Sequence, residues 1–203
     1  MALPALAQHG EQVMHYRFDD AAKWSKVFDD PARDAWQKPA EVIRALQLRP
    51  QDAVADIGSG TGYFAVRLAR ALPQGNVVGA DVEPDMVRYL NERAGKERLA
   101  NLRSILAAGD RPNLPAPVDL VLVVDTYHHI ARRELYFTKL KESLRPGGRV
   151  AIIDFTPDSP IGPPVRHRIA PGKVAEEMAL AGYRLAEQHD FLPNQYFLVF
   201  AAR

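Results

Sequence analysis

Cysteine is absent from the 203-residue chain. That excludes disulfides, zinc–thiolate centres, thiol nucleophiles and any reaction that passes through a protein–sulfur bond. It leaves the redox compartment open. An excess of either charge is also missing: 26 Lys and Arg stand against 25 Asp and Glu, for a net charge of +1. A nucleic-acid-binding domain usually carries a large basic excess, so the balance argues against a nucleic-acid partner. No apolar run reaches the length of a membrane span. Repeats and low-complexity tracts are missing too.

What is there suits one domain. Apolar residues make up 47% and charged residues 25%, ordinary values for a globular chain. The length fits a single unit over residues 1–203, with 1–49 as an N-terminal tail and helical cap. Within Met1–Gln8, the Ala5-Leu6-Ala7 piece looks like the small-residue end of a secretory signal, but the charged and apolar regions of such a signal are missing. Either these residues are a plain tail of a cytoplasmic protein, or they are the stub of a trimmed signal on an exported one.

Apolar patterning then alternates between strand and helix. Strands are expected at Ala53–Ile57, Asn76–Ala80, Asn101–Ala107, Val118–Val124 and Arg149–Phe155, followed by a closing pair at Arg184–Phe191 and Tyr196–Ala201. Helices are expected at Pro39–Leu48, from Phe64 to Leu72, from Pro84 to about Gly95, along Leu135, Tyr136, Leu140 and Leu144, and over Val174–Ala181, with Arg145–Gly148 as a turn. This alternation implies an α/β fold with a mainly parallel sheet covered by helices on both faces. The run VDLVLVV reads as a central strand.

The strongest chemical signal is Asp56-Ile-Gly58-Ser-Gly60-Thr-Gly62, where the first strand turns into a helix. Glycines there let the backbone approach a ligand. Tyr63 stands where the dinucleotide pattern G-x-G-x-x-G needs glycine, so the pattern is G-x-G-x-G instead. Asp81 ends the second strand, where a ribose diol would be held. The bland alternative is a tight strand–helix turn with no ligand.

The segments VADIGSGTGYFAVRLA, GADVEPDMVRYL, AAGD, VDLVLVVDTYHHI and LRPGGRVAIIDF together resemble the successive motifs of the class I S-adenosyl-L-methionine-dependent methyltransferases. The resemblance implies a Rossmann-like, seven-stranded sheet of order 3-2-1-4-5-7-6 with strand seven antiparallel. It implies that Asp56 helps hold the methionine end of S-adenosyl-L-methionine and that Gly58 and Gly60 pass under it, with Gly62 completing the loop. Asp81 would bind the ribose hydroxyls, Asp110 would lie near the adenine amine, and Asp125 would line the methyl-transfer side. The opening HYRFDDAAKW…VFDDPARDAWQKP is similar to a bacterial subgroup of this family and departs from its generic pattern, so substrate residues do not carry over.

Asp125-Thr-Tyr-His stands where methyltransferases of exocyclic base amines have Asn/Asp-Pro-Pro-Tyr/Phe. The absence of cysteine separates the chain from arsenite methyltransferases, which resemble this core. A small-molecule acceptor is the expected partner, and a protein that binds the cofactor without transfer is the alternative. His128 and His129 are the candidates for a catalytic base; either could instead cap or pack against the next helix. His167 is a candidate substrate wall. His15, Tyr16 and Phe18 form a candidate lid. Trp36 and Gln37 either close the methionine end or pack the cap on the sheet. Arg132, Arg133, Lys139, Lys141, Arg145 and Arg149 read as a solvated face rather than a polyanion site. No ligand spacing supports a metal site.

Overall fold

The structure, a computed structural model, describes residues 17–203. Met1–Gln8 and the His15 and Tyr16 part of the expected lid lie outside the described residues. One sheet holds β1 (Ala53–Ile57), β2 (Asn76–Asp81), β3 (Leu102–Leu106), β4 (Val118–Val124), β5 (Leu144–Phe155), β6 (Tyr183–His189) and β7 (Gln195–Ala202). Its order is β3-β2-β1-β4-β5-β7-β6. Neighbours are parallel, except that β7 runs antiparallel to both β5 and β6. This is the Rossmann-like topology that the sequence resemblance implies.

The central strands are apolar because both of their faces are covered. On one side Val54, Leu120, Leu122, Ile153 and Phe197 meet Val42 and Leu46, Phe64 and Leu68, and Leu90. These belong to, or directly follow, α3 (Pro39–Ala45), α4 (Tyr63–Ala71) and α5 (Pro84–Lys96). On the other side Ala55, Val121, Val123, Ile152 and Phe200 meet Phe137, Leu140, Val174 and Met178 of α6 (Arg133–Leu140) and α7 (Pro171–Leu180). Each buried Val, Leu, Ile, Phe or Met among them contributes about 1.5–3 kcal/mol. At the end of α4, the Asn101 amide donates to the carbonyls of Ala69 and Leu72, both at 2.9 Å, in the last turn where intrahelical donors run out.

The structure corrects several boundaries. Arg145–Gly148 is not a separate turn: β5 begins at Leu144, which pairs with Val118, and the register jumps so that Arg149 pairs with Leu120. Gly147, at φ +79°, lets the extra residues bulge out without breaking the strand. Leu135 does not share the buried face of α6, because it is 43% exposed and Phe137 takes its place. Before α3, the cap contains the unforeseen helices α1 (Ala21–Phe28) and α2 (Asp34–Gln37). Asp20 caps α1 by accepting from Lys23 N–H, and Lys38 at φ +45° joins α2 to α3. The cap lies over the carboxyl ends of the central strands.

Candidate active site

The loop after β1 uses its glycines for different reasons. A side chain at Gly58 would strike Thr126 beyond β4 at 2.3 Å, and one at Gly62 would strike Leu90 of α5 at 2.3 Å. Packing alone therefore accounts for these positions. Gly60 differs: at φ +52° a side chain there would meet only the Phe28 ring, its Cβ in ordinary contact at 3.4 Å. Asp81 braces the loop, since its carboxylate accepts from Gly60 N–H at 2.8 Å and Glu83 N–H at 3.0 Å. Burial raises its pKa, and those N–H groups oppose the rise.

Asp56, at the end of β1, is buried, and burial together with the nearby Asp81 charge pushes it up to about 7. The Arg33 guanidinium and the Ala65 N–H pull the other way. Asp125 follows β4 in a left-handed backbone conformation, φ +53°, which is uncommon outside glycine and clusters at functional sites. Burial pushes it to about 7 as well, against the pull of Arg33.

Arg33 is the residue that sequence reasoning missed. It enters from the cap between α1 and α2, bonds Asp125 at 3.0 Å and Gln37 Oε1 at 3.1 Å, and lies over the Tyr63 ring at 4.1 Å. Gln37 donates to Gln195 at 2.6 Å, and Gln195 donates to Asp125. Gln37 thus ties the cap to the sheet, while Trp36 packs on Phe155 with ring centroids 5.8 Å apart. In sequence, Arg33 carried no mark beyond its place in an aromatic, acidic segment.

The histidines separate. His128 is 5% exposed, and its Nδ1 faces Asp154 at 2.8 Å and 2.9 Å. His129 lies with its ring 4.2 Å from that of His128 and 5.9 Å from Phe18. Phe18 also meets Trp24 and Phe28, so one aromatic group reaches from His129 to the Gly60 turn. His167 stands apart in a short helical turn, Val165–His167, and its Nδ1 is buried without a hydrogen-bond partner. Asp110 bonds Lys139 at 2.5 Å, which lowers its pKa. The basic residues near α6 are not a plain solvated face. Arg133 is buried against Glu177 at 2.7 Å, Arg145 pairs with Asp119 at 2.7 Å, and Arg149 reaches Glu187 at 3.4 Å. Among the described residues, no group of three or more His, Asp or Glu could hold a metal ion, and no helix is long and apolar enough to cross a membrane.

Residues 54–148 match the family model described as a methyltransferase domain. A solved structure of a SAM dependent methyltransferase from Aquifex aeolicus superposes with a TM-score of 0.83 at 25% identity, covering 91% of this chain and 99% of that one. The strand order and this structural match give the chain the fold of the class I S-adenosylmethionine-dependent methyltransferases. Among curated proteins it is 31% identical to the demethylmenaquinone methyltransferase of Deinococcus radiodurans, over 60% of this chain and 50% of that protein. It is 34% identical to the 27-O-demethylrifamycin SV methyltransferase of Amycolatopsis mediterranei, over 72% of this chain and 52% of that protein. The chain thus spans about half the length of these curated relatives.

Proposed function

We propose that this protein transfers a methyl group from S-adenosylmethionine to a small-molecule acceptor. The observation that carries this reading is the carboxylate-rich edge beside the bare Gly60 turn. Burial pushes Asp56 and the partly exposed Asp125 up to about 7, and both feel the Arg33 charge, so the edge gains from a ligand that brings positive charge. S-adenosylmethionine brings a sulfonium and an ammonium, and when bound it supplies an already activated methyl group.

The chain's own residues would divide the work as follows. Asp81, held by two backbone N–H groups, keeps lone pairs for ribose hydroxyls. Val82, just past β2, and Leu106, at the end of β3, have 56% and 52% of their surface exposed and would offer an apolar wall for a planar base. Asp110, ion-paired with Lys139, would take the adenine amine. Asp56 and Arg33 serve the methionine end, Asp125 lines the transfer side, and alignment of the acceptor supplies much of the rate. The relatives' names carry a quinone precursor and an oxygen of a rifamycin, which supports a small molecule as acceptor. We assign the cytoplasm as the compartment because the cofactor is made there.

Titration calorimetry with S-adenosylmethionine and its demethylated product tests the first half of this reading. A metabolite library followed for release of S-adenosylhomocysteine tests the second. Binding without release over any acceptor would leave a cofactor-binding protein instead.

A further inference from the structure

Arg33 is locked in place. Besides its bonds to Asp125 and Gln37, its Nε reaches the same Gln37 oxygen at 3.2 Å and its Nη1 donates to the Phe28 carbonyl at 3.1 Å. Gln37 donates to Gln195 and Gln195 to Asp125. The four side chains therefore close a ring of hydrogen bonds that runs from the cap to the ends of β4 and β7 and back. With the Tyr63 ring against the guanidinium, 14% of the Arg33 side chain is exposed. Arginine does not shed its proton in a protein. The edge thus carries one fixed positive charge.

Asp56 and Asp125 both feel that charge. The other titratable groups around them are Asp81 at the end of β2, His128 after β4, Asp154 on β5 and Tyr196 on β7. Asp81 is held by two N–H groups, and Asp154 turns to His128 Nδ1 at 2.8 Å. Burial keeps the Tyr196 hydroxyl protonated. These groups stay the same whichever ligand is bound. What a ligand changes is the balance between one guanidinium and two enclosed carboxylates. With both carboxylates ionised, the edge is one positive charge short.

We propose that Arg33 is a specificity-determining residue: by cancelling one of the two carboxylates and no more, it makes the site favour the sulfonium cofactor over the thioether product. This rests on the methyl transfer proposed above. S-adenosylmethionine and S-adenosylhomocysteine share the adenine, the ribose, the ammonium and the carboxylate. They differ by a methyl group and one positive charge, because sulfur keeps the electron pair of the broken bond while the methyl goes to the acceptor. The shared ammonium and carboxylate cancel, so the cofactor brings a net positive charge and the product brings none. The cofactor completes the balance at the edge. The product leaves an enclosed carboxylate without a cation, which costs binding. Each transfer therefore turns a ligand that the edge favours into one that it disfavours.

Titration calorimetry on the full chain at low salt and about pH 8 tests this with three probes. They are S-adenosylmethionine, S-adenosylhomocysteine and sinefungin, whose added ammonium replaces the sulfonium. The wild type should bind the two charged probes about tenfold or more tighter than S-adenosylhomocysteine. Asp125→Asn leaves one carboxylate to one guanidinium, and the three affinities should draw within about threefold of each other. Arg33→Gln added to Asp125→Asn restores the shortfall of one charge, and the preference should return to about tenfold. A merely structural Arg33 predicts no such return. A wild type that binds S-adenosylhomocysteine as tightly as the charged probes overturns the proposal. So does a preference that survives Asp125→Asn or stays lost in the double variant. If the variants fail to fold, the wild type decides alone. Both carboxylates titrate at about 7, so the preference should shrink severalfold from about pH 8 to about pH 6; a preference that ignores pH overturns the proposal. If none of the three probes binds the wild type, the methyl-transfer reading itself falls.

Discussion

At the β1–β2 edge, polar contacts are short-range in sequence: Asp81 holds Glu83 N–H two residues on and Gly60 N–H 21 residues back. At the β4–β5–β7 edge they span the chain. Arg33 meets Asp125 across 92 residues, Gln37 meets Gln195 across 158, and Gln195 meets Asp125 across 70. The first edge is a device that a single strand–helix–strand unit, β1–α4–β2, can build alone. The second exists only once the cap has folded onto the finished sheet. Short-range sites survive as spaced motifs, whereas long-range networks leave isolated polar residues that look like surface.

The sharpest way to break this comparison is Gly60→Val. Its side chain would fill the space in front of the bare backbone, so cofactor binding should be lost, by 100-fold or more. The positive φ makes the valine strained by roughly 1–2 kcal/mol, so the variant should melt somewhat lower yet remain folded. Gly62→Val, driven into Leu90, should lose far more stability. Comparable melting of the two variants in differential scanning calorimetry would contradict the division of labour among the glycines.

Asp81→Ala should come next, weakening cofactor affinity at least tenfold through lost charge-assisted bonds. Glu83→Ala, just past the strand, should change it little. Equal effects in calorimetric titrations would remove Asp81 from the ribose.

On the long-range edge, Arg33→Gln leaves Asp125 and Asp56 without their cation and should cost about 1–3 kcal/mol in urea unfolding. Asp125→Asn in the same chain should recover part of that loss. If the two losses simply add, the pair is not coupled.

The smallest effect is that of pH. Asp56 and Asp125 sit at about 7 when folded, against about 4 in an unfolded chain. Between those values the folded state binds more protons, so their contribution to stability falls as pH rises through the window. A bound cation favours the ionised carboxylates, so cofactor affinity should rise a few-fold from about pH 6 to about pH 8. In Asp56→Asn both slopes should flatten; unchanged slopes would assign the titration to other groups.

Much of the fold was legible in the sequence because burial on both faces makes β1 and β4 continuous apolar runs, and because Gly58–Gly62, Asp81 and Asp125 fall at strand ends. The limits of that reading are as specific. Gly58 and Gly62 look like ligand glycines in a one-dimensional pattern, but Thr126 and Leu90 explain them. His128 and His129 are adjacent and chemically identical in sequence; only folding sets one against Asp154, 26 residues away. Arg33 became visible only when the cap was seen beneath Gln195.

Three of the cap's fastenings are ion pairs. Asp34 meets Arg67 with 49% and 30% of the side chains exposed, Asp29 meets Arg93 with 22% and 23%, and Arg33 meets Asp125 with 14% and 22%. Mobile ions reach exposed pairs readily and enclosed pairs poorly. Rising ionic strength should therefore release these fastenings in sequence, the Asp34 end first and Arg33 last. Salt thus becomes a graded handle on the cap's ionic fastenings, one that leaves its apolar contacts through Val42 and Leu46 in place.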